Sequence, residues 1–221
     1  MKFLFVSFFL YQFSCFSETS FTTGSGSKYK VYSKSAPELN LSIYITESSF
    51  ARLGVEYYIS GGDPLGLSQS QMWQQFILER RGDGPLSIVS GYIKSHEIKT
   101  PEILTDEFLN QNRGVQVSDF LFKEKKEMNK FKISEEVIET AAGSITATHY
   151  KKTNQGQVVD FWISEQALPI GLVKLVSQGK EKSHNYTVEI QSLIKNVKPA
   201  IDKKKAVPLS EKGKLLLNMS L

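Results

Sequence analysis

The chain of 221 residues contains a single cysteine, Cys15, so no disulfide can form within it and no cysteine pair can hold a metal. Its three histidines, His96, His149 and His184, are scattered. None pairs with another at helical spacing, and no cluster of three or four convergent ligands is in view, which argues against a metal centre. A phosphate-binding glycine loop and a nucleophile elbow are also missing. His149 and Asp160 fall on neighbouring strand candidates and can meet, but a chance pairing within a sheet accounts for that without catalysis. The expectation is a protein that is not an enzyme and carries no cofactor.

Charge of one sign is lacking too. Against 27 basic side chains stand 23 acidic ones, for a net charge of +4. Lys and Glu alternate in runs such as Lys123-Glu124-Lys125-Lys126-Glu127, which reads as a solvated turn or edge. Nucleic-acid binding calls for a dense basic stripe interleaved with stacking aromatics, so no nucleic-acid partner is expected. Long hydrophobic runs are absent as well. The longest, Phe3 to Tyr11 relieved only by Ser7, has about half of the roughly 18 residues a membrane-crossing helix needs.

That short run has another reading. Lys2, the apolar stretch and the small and polar residues after it have the layout of a secretory signal peptide over residues 1–17, with a buried N-terminal strand as the alternative. Cys15 sits where an export peptidase acts. Either it is discarded with the signal or it is the lipidated first residue of a bacterial lipoprotein. Ser14 suits a lipobox, whereas Phe13 and Gln12 depart from it. Residues 18–27 are rich in Ser, Thr and Gly and read as a flexible tether to such an anchor. An exported protein of the bacterial cell envelope, in the periplasm or held at the outer membrane by its lipid, is the expectation.

From residue 28 to 196 apolar and polar residues alternate with period two, the mark of strands with one buried face. Leu39, Leu41, Ile43 and Ile45 face one way; Leu53, Val55, Tyr57 and Ile59 repeat the pattern. Further strands are predicted at 72–81, 86–94, 115–122, 131–138, 144–151, 157–164, 170–177 and 185–194, with turns at Asp83-Gly84, Asn154-Gln155-Gly156 and Gln178-Gly179-Lys180. Strand follows strand, which predicts an antiparallel sheet. One helix interrupts it at about 100–113, with Thr100 as cap, Pro101 at its first position and Gly114 beyond its end. Residues 197–221 form a Lys/Pro-rich tail in which Ser210 can cap a short helix through Leu215, Leu216 and Leu217. The fold class is therefore mainly β, an antiparallel half-barrel or barrel-like sheet with one principal helix and a short C-terminal one.

Phe76, Tyr92, Phe120, Phe161, Trp73 and Trp162 lie within strand candidates. They serve either as an ordinary core or, in part, as the lining of a cavity for an apolar ligand. Within the strand 157–164, Val159, Phe161 and Ile163 point one way, and Val158, Asp160 and Trp162 the other. Arg81-Gly82-Asp83 sits at a predicted hairpin tip. It either makes the turn or displays an integrin-type adhesion motif to a host or envelope protein.

One stretch resembles a known family. The run Ala142-Gly143-Ser144-Ile145-Thr146-Ala147-Thr148-His149-Tyr150, then Val158-Val159-Asp160-Phe161-Trp162-Ile163-Ser164, then Leu168-Pro169-Ile170-Gly171-Leu172-Val173-Lys174 is similar to the closing hairpins of the lipoprotein carrier superfamily of bacterial envelope proteins. The resemblance covers residues 142–177. It implies an unclosed antiparallel barrel with a helical lid and an apolar inner face that holds acyl chains or another lipid, without catalysis. Those carriers open with a helix before the sheet, whereas residues 28–60 here read as strands. On this expectation Phe76, Leu78, Phe108, Phe161, Ile163 and Leu172 line the apolar cavity, and the partners are a lipid-like ligand and, through Cys15, a membrane.

Overall fold

A computed structural model describes residues 21–33, 36–62, 69–80, 86–109, 128–154, 156–181 and 184–220. Among them twelve strands form one open sheet. In chain order these are β1 (Gly26–Ser33), β2 (Ala36–Ser48), β3 (Arg52–Gly62), β4 (Gln69–Arg80), β5 (Leu86–Ser95), β6 (Glu102–Ile103), β7 (Lys132–Thr140), β8 (Gly143–Asn154), β9 (Gln157–Ile163), β10 (Leu172–Gln178), β11 (Tyr186–Ile194) and β12 (Val207–Pro208). Their spatial order is β12-β6-β5-β4-β3-β2-β1-β11-β10-β9-β8-β7. The first and last long segments of the sheet meet where β1 pairs with β11, Tyr29 opposite Ile190 and Val31 opposite Val188. All pairings are antiparallel except the two-residue one between β6 and β12. That mainly β, open, half-barrel-like architecture is the one the alternation predicts.

The alternation sets the faces. Val55 lies opposite Ile45 and Phe76, and Tyr57 opposite Ile43 and Gln74. Except for Gln74, each of these belongs to one contiguous buried cluster that continues through Val188 and Leu175 to Phe161. A one-residue slip would turn the whole set outward, so burial of this face fixes the register. At its far end the sheet curls, bringing β7 back toward β11 although β8, β9 and β10 lie between them.

The principal helix differs from expectation at its start. Thr100-Pro101 has the local chemistry of a helix N-terminus, yet Glu102 and Ile103 extend to pair with Ile93 and Tyr92 of β5. The helical turn begins at Asp106 and runs to Leu109, where Thr105 Oγ1 accepts the Phe108 N–H at 3.3 Å. Pairing with an otherwise open strand outweighs the weak local preference. Gly91 makes the approach possible: a Cβ there would lie 2.8 Å from Leu104 Cδ1 and 3.0 Å from Leu109 Cδ2. Residues 110–113, the strand expected at 115–122, Phe120 and the run Lys123–Glu127 lie outside the described residues.

The domain also begins earlier than residue 28. Gly24 N–H donates to Ile45 at 2.7 Å, Ile45 N–H to Ser25 at 2.9 Å, and Phe21 packs against the core. The C-terminal segment is bound along the sheet rather than trailing from it. Residues 197–205 cross the outer face, where Val197 N–H reaches Gly24 at 3.0 Å, Lys94 Nζ donates to the Ala200 carbonyl at 3.0 Å, and Lys203 pairs with Glu47 at 2.8 Å. The chain then rounds the β6 edge through β12 and enters helix α1 (Glu211–Ser220). Ser210 caps α1 as expected, its Oγ accepting the Gly213 N–H at 3.1 Å. Leu217 enters the same buried cluster that the inner face of the sheet supplies, with Leu209 and Leu216 packed against it.

Candidate functional site

Four of the six residues expected to line an apolar cavity, Phe76, Leu78, Phe161 and Leu172, are fully buried on the inner face, and Ile163 and Phe108 pack half-buried against them. β4 supplies Phe76 opposite Val55 and Gly91, and Leu78 opposite Leu53 and Ile88. β9 and β10 supply Phe161 opposite Leu175, and Ile163 opposite Leu172. All six thus lie on one continuous apolar surface, but at two places along it. Phe76 meets Tyr57 edge-on at 6.0 Å, whereas Phe161 stacks on Tyr150 at 5.3 Å and 14°. The cover over this surface, among the described residues, includes α1 and the segment 104–109.

Polar groups share that face. Tyr29 and Tyr57 are buried there, and burial pushes both hydroxyls well above the ordinary tyrosine range, so they stay neutral. Gln74 stands between Tyr57 and Ile93 with 1% of its surface exposed. Its amide nitrogen lies 3.9 Å from Met72 Sδ, and its carbonyl Oε1 has no hydrogen-bond partner among the described residues. An inward Gln in the register Met72, Gln74, Phe76, Leu78 is visible in the sequence as a break in the apolar alternation. It was not among the expected residues because alternation weighs the apolar positions and passes over a single polar exception.

On the outer face His149 and Asp160 do meet, Nε2 to Oδ1 at 2.8 Å, on the neighbouring strands β8 and β9. The imidazole stacks on Trp162 at 4.4 Å and 12°, the Trp162 indole donates to Glu136 Oε1 at 2.6 Å, and Lys151 approaches Asp160 at 3.6 Å. These are cross-strand side-chain pairs of the kind that stabilise sheets. Among the described residues no group of three potential metal ligands converges. No helix among them is long and apolar enough to cross a membrane. Cys15 and Arg81-Gly82-Asp83 lie outside the described residues.

No protein-family model matches the sequence, and no curated protein matches it either. Among solved structures, one similar chain is a protein of Parabacteroides distasonis named "putative lipoprotein", with 13% identity and a TM-score of 0.36, covering 80% of this chain and all of the other. A likeness this distant assigns neither a family nor a role.

Proposed function

We propose that this chain is an exported envelope protein, held at a membrane through Cys15 or released by cleavage beside it, that binds a lipid-like apolar ligand along the inner face of its open sheet. The observation that carries the reading is Gln74. A buried carbonyl without a partner costs about 1–3 kcal/mol, and such a group, set beside the buried tyrosines Tyr29 and Tyr57 in a mainly apolar face, is what a hydroxyl, amide or protonated acid of an amphiphile would satisfy. The apolar surface on either side, from Tyr57 and Phe76 toward Phe161, suits the chain of such a molecule. Entry requires the cover to move, and the cover is held at its edge by the contacts of Glu102 with Ser210. The role needs no covalent chemistry.

Native mass spectrometry of the full chain purified from a bacterial envelope, beside organic extraction, tests this directly. The wild type should retain a lipid. Gln74→Leu, which removes the orphaned carbonyl, should fold at least as stably and retain less. If the wild type carries no lipid and the extracted protein takes up no fluorescent fatty acid, the reading is wrong. Feeding cells a fatty-acid analogue, with Cys15→Ala as control, decides between anchorage and cleavage.

A further inference from the structure

The outer face carries a second feature, on the opposite side of the sheet from the apolar surface. Lys28, Ser42, Tyr58, Trp73 and Lys94 stand directly opposite one another in turn across β1 to β5. With strands about 4.8 Å apart, such a row stands like a rack. The rings of Tyr58 and Trp73 lie 4.8 Å apart and tilted by 31°. The Lys94 ammonium follows at 5.6 Å from the Trp73 centroid. Ser42 is the short member of the row, so between the Lys28 side chain and the Tyr58 ring it leaves a slot. Tyr44, Leu193, Ile194, Lys195 and Val197 complete the walls, and the resulting groove has a volume of about 610 Å³.

The chemistry of the lining is one-sided. Lys28 and Lys195 bring two lysine side chains to the lining, and among the described residues no carboxylate joins them there. Glu56 lies one row away opposite Tyr44, its carboxylate already engaged by that tyrosine and by the backbone of Ala200 and Ile201. An aromatic wall, a hydroxyl floor and two cations at one end suit a ring with an apolar C–H face, hydroxyl groups and an acidic substituent. We infer that this groove binds an acidic sugar, its ring between Tyr58 and Lys28 over Ser42 and its carboxylate or phosphate between Lys28 and Lys195.

The test uses the full chain with Trp162→Phe, which leaves Trp73 as the only tryptophan reporter of the two in the chain. A hyaluronan tetrasaccharide supplies a carboxylate, glucose 6-phosphate a phosphate, and chitotetraose is the neutral control. A saturable change in Trp73 emission with either acidic probe, weakened by added salt, is expected, and the stronger probe identifies the acid. The double variant Lys28→Glu, Lys195→Glu should weaken binding at least about tenfold, and Ser42→Phe, which fills the slot, should abolish it while circular dichroism stays unchanged. Equal response to the neutral sugar, unchanged affinity in the charge-reversed variant, or no saturable response to either acidic probe up to about 10 mM would overturn the assignment. None of these outcomes depends on whether the inner face holds a lipid.

Discussion

The carboxylate of Glu56 receives the backbone N–H groups of Ala200 and Ile201 at 2.8 and 3.2 Å, joining the middle of β3 to the C-terminal segment. Gln75 donates to the same carboxylate at 3.3 Å, and Tyr44 donates its hydroxyl to it. The group is fully buried, so it serves as the fixed point at which the C-terminal segment is fastened across the outer face.

Burial pushes the Glu56 carboxyl above its ordinary value, more than its hydrogen bonds with Tyr44, Ala200 and Ile201 pull it back. The folded chain therefore binds more protons than the unfolded chain between the two values. The stability this group contributes is present in full below the unfolded pKa and is lost as pH rises through the raised one. In urea unfolding across that window, the stability of the wild type should fall with rising pH relative to Glu56→Gln. A constant difference between the two would mean that the carboxyl is not raised. At any pH in the window, Glu56→Ala strands two backbone donors and should cost about 1–3 kcal/mol.

Glu102 makes the corresponding attachment at the edge of the sheet. It accepts the Ser210 backbone N–H at 3.0 Å and the Ser210 hydroxyl at 2.7 Å, and Gly213 fits above it because a Cβ there would lie 2.1 Å from Glu102 Oε2. Ser210→Ala removes both the cap and one of these bonds, and should cost about 1 kcal/mol. Gly213→Ala should cost more, since Glu102 is buried and has little room to retreat. Limited proteolysis should then release the segment after Pro208 in both variants well before the sheet is cut. Cleavage at equal rates throughout the chain would show that α1 is not a separately detachable cover.

Much of this arrangement could be read in the residues. The alternation through Leu53, Val55, Tyr57 and Ile59 set the inner face of β3, and the opposed faces of Phe161 and Trp162 on β9 came out as alternation requires, with Phe161 buried and Trp162 only half-buried. Ser210 announced α1 because capping is local. What stayed hidden depended on contacts distant in sequence. Glu102 and Ile103 carry helix-start signals, yet β5 takes them as a strand. The Lys28-to-Lys94 row exists only once five strands are aligned, and Glu56 gains two of its four partners from 144 and 145 residues away. The meeting of His149 with Asp160 was within reach, since strands joined by a short turn must pair.

The last expectation concerns Phe161, with 1% of its surface exposed, stacked on Tyr150 and set opposite Leu175. A ring packed this closely should cost about 3–5 kcal/mol on truncation, so Phe161→Ala measured by denaturant unfolding should lose that much, and Phe161→Leu much less. The same variant also reports on the inner face. A ligand that binds only the folded chain adds RT ln(1 + [L]/Kd) to its stability, so protein purified with its lipid should unfold at higher denaturant than protein stripped by organic extraction and refolded. If the ligand lies against Phe161, truncation weakens that added term, and the loss on Phe161→Ala is larger in the lipid-loaded preparation than in the stripped one. Equal losses, with loaded and stripped wild type unfolding together, would leave the inner face as core alone and end the lipid reading, while leaving the lysine-lined groove on the outer face untouched.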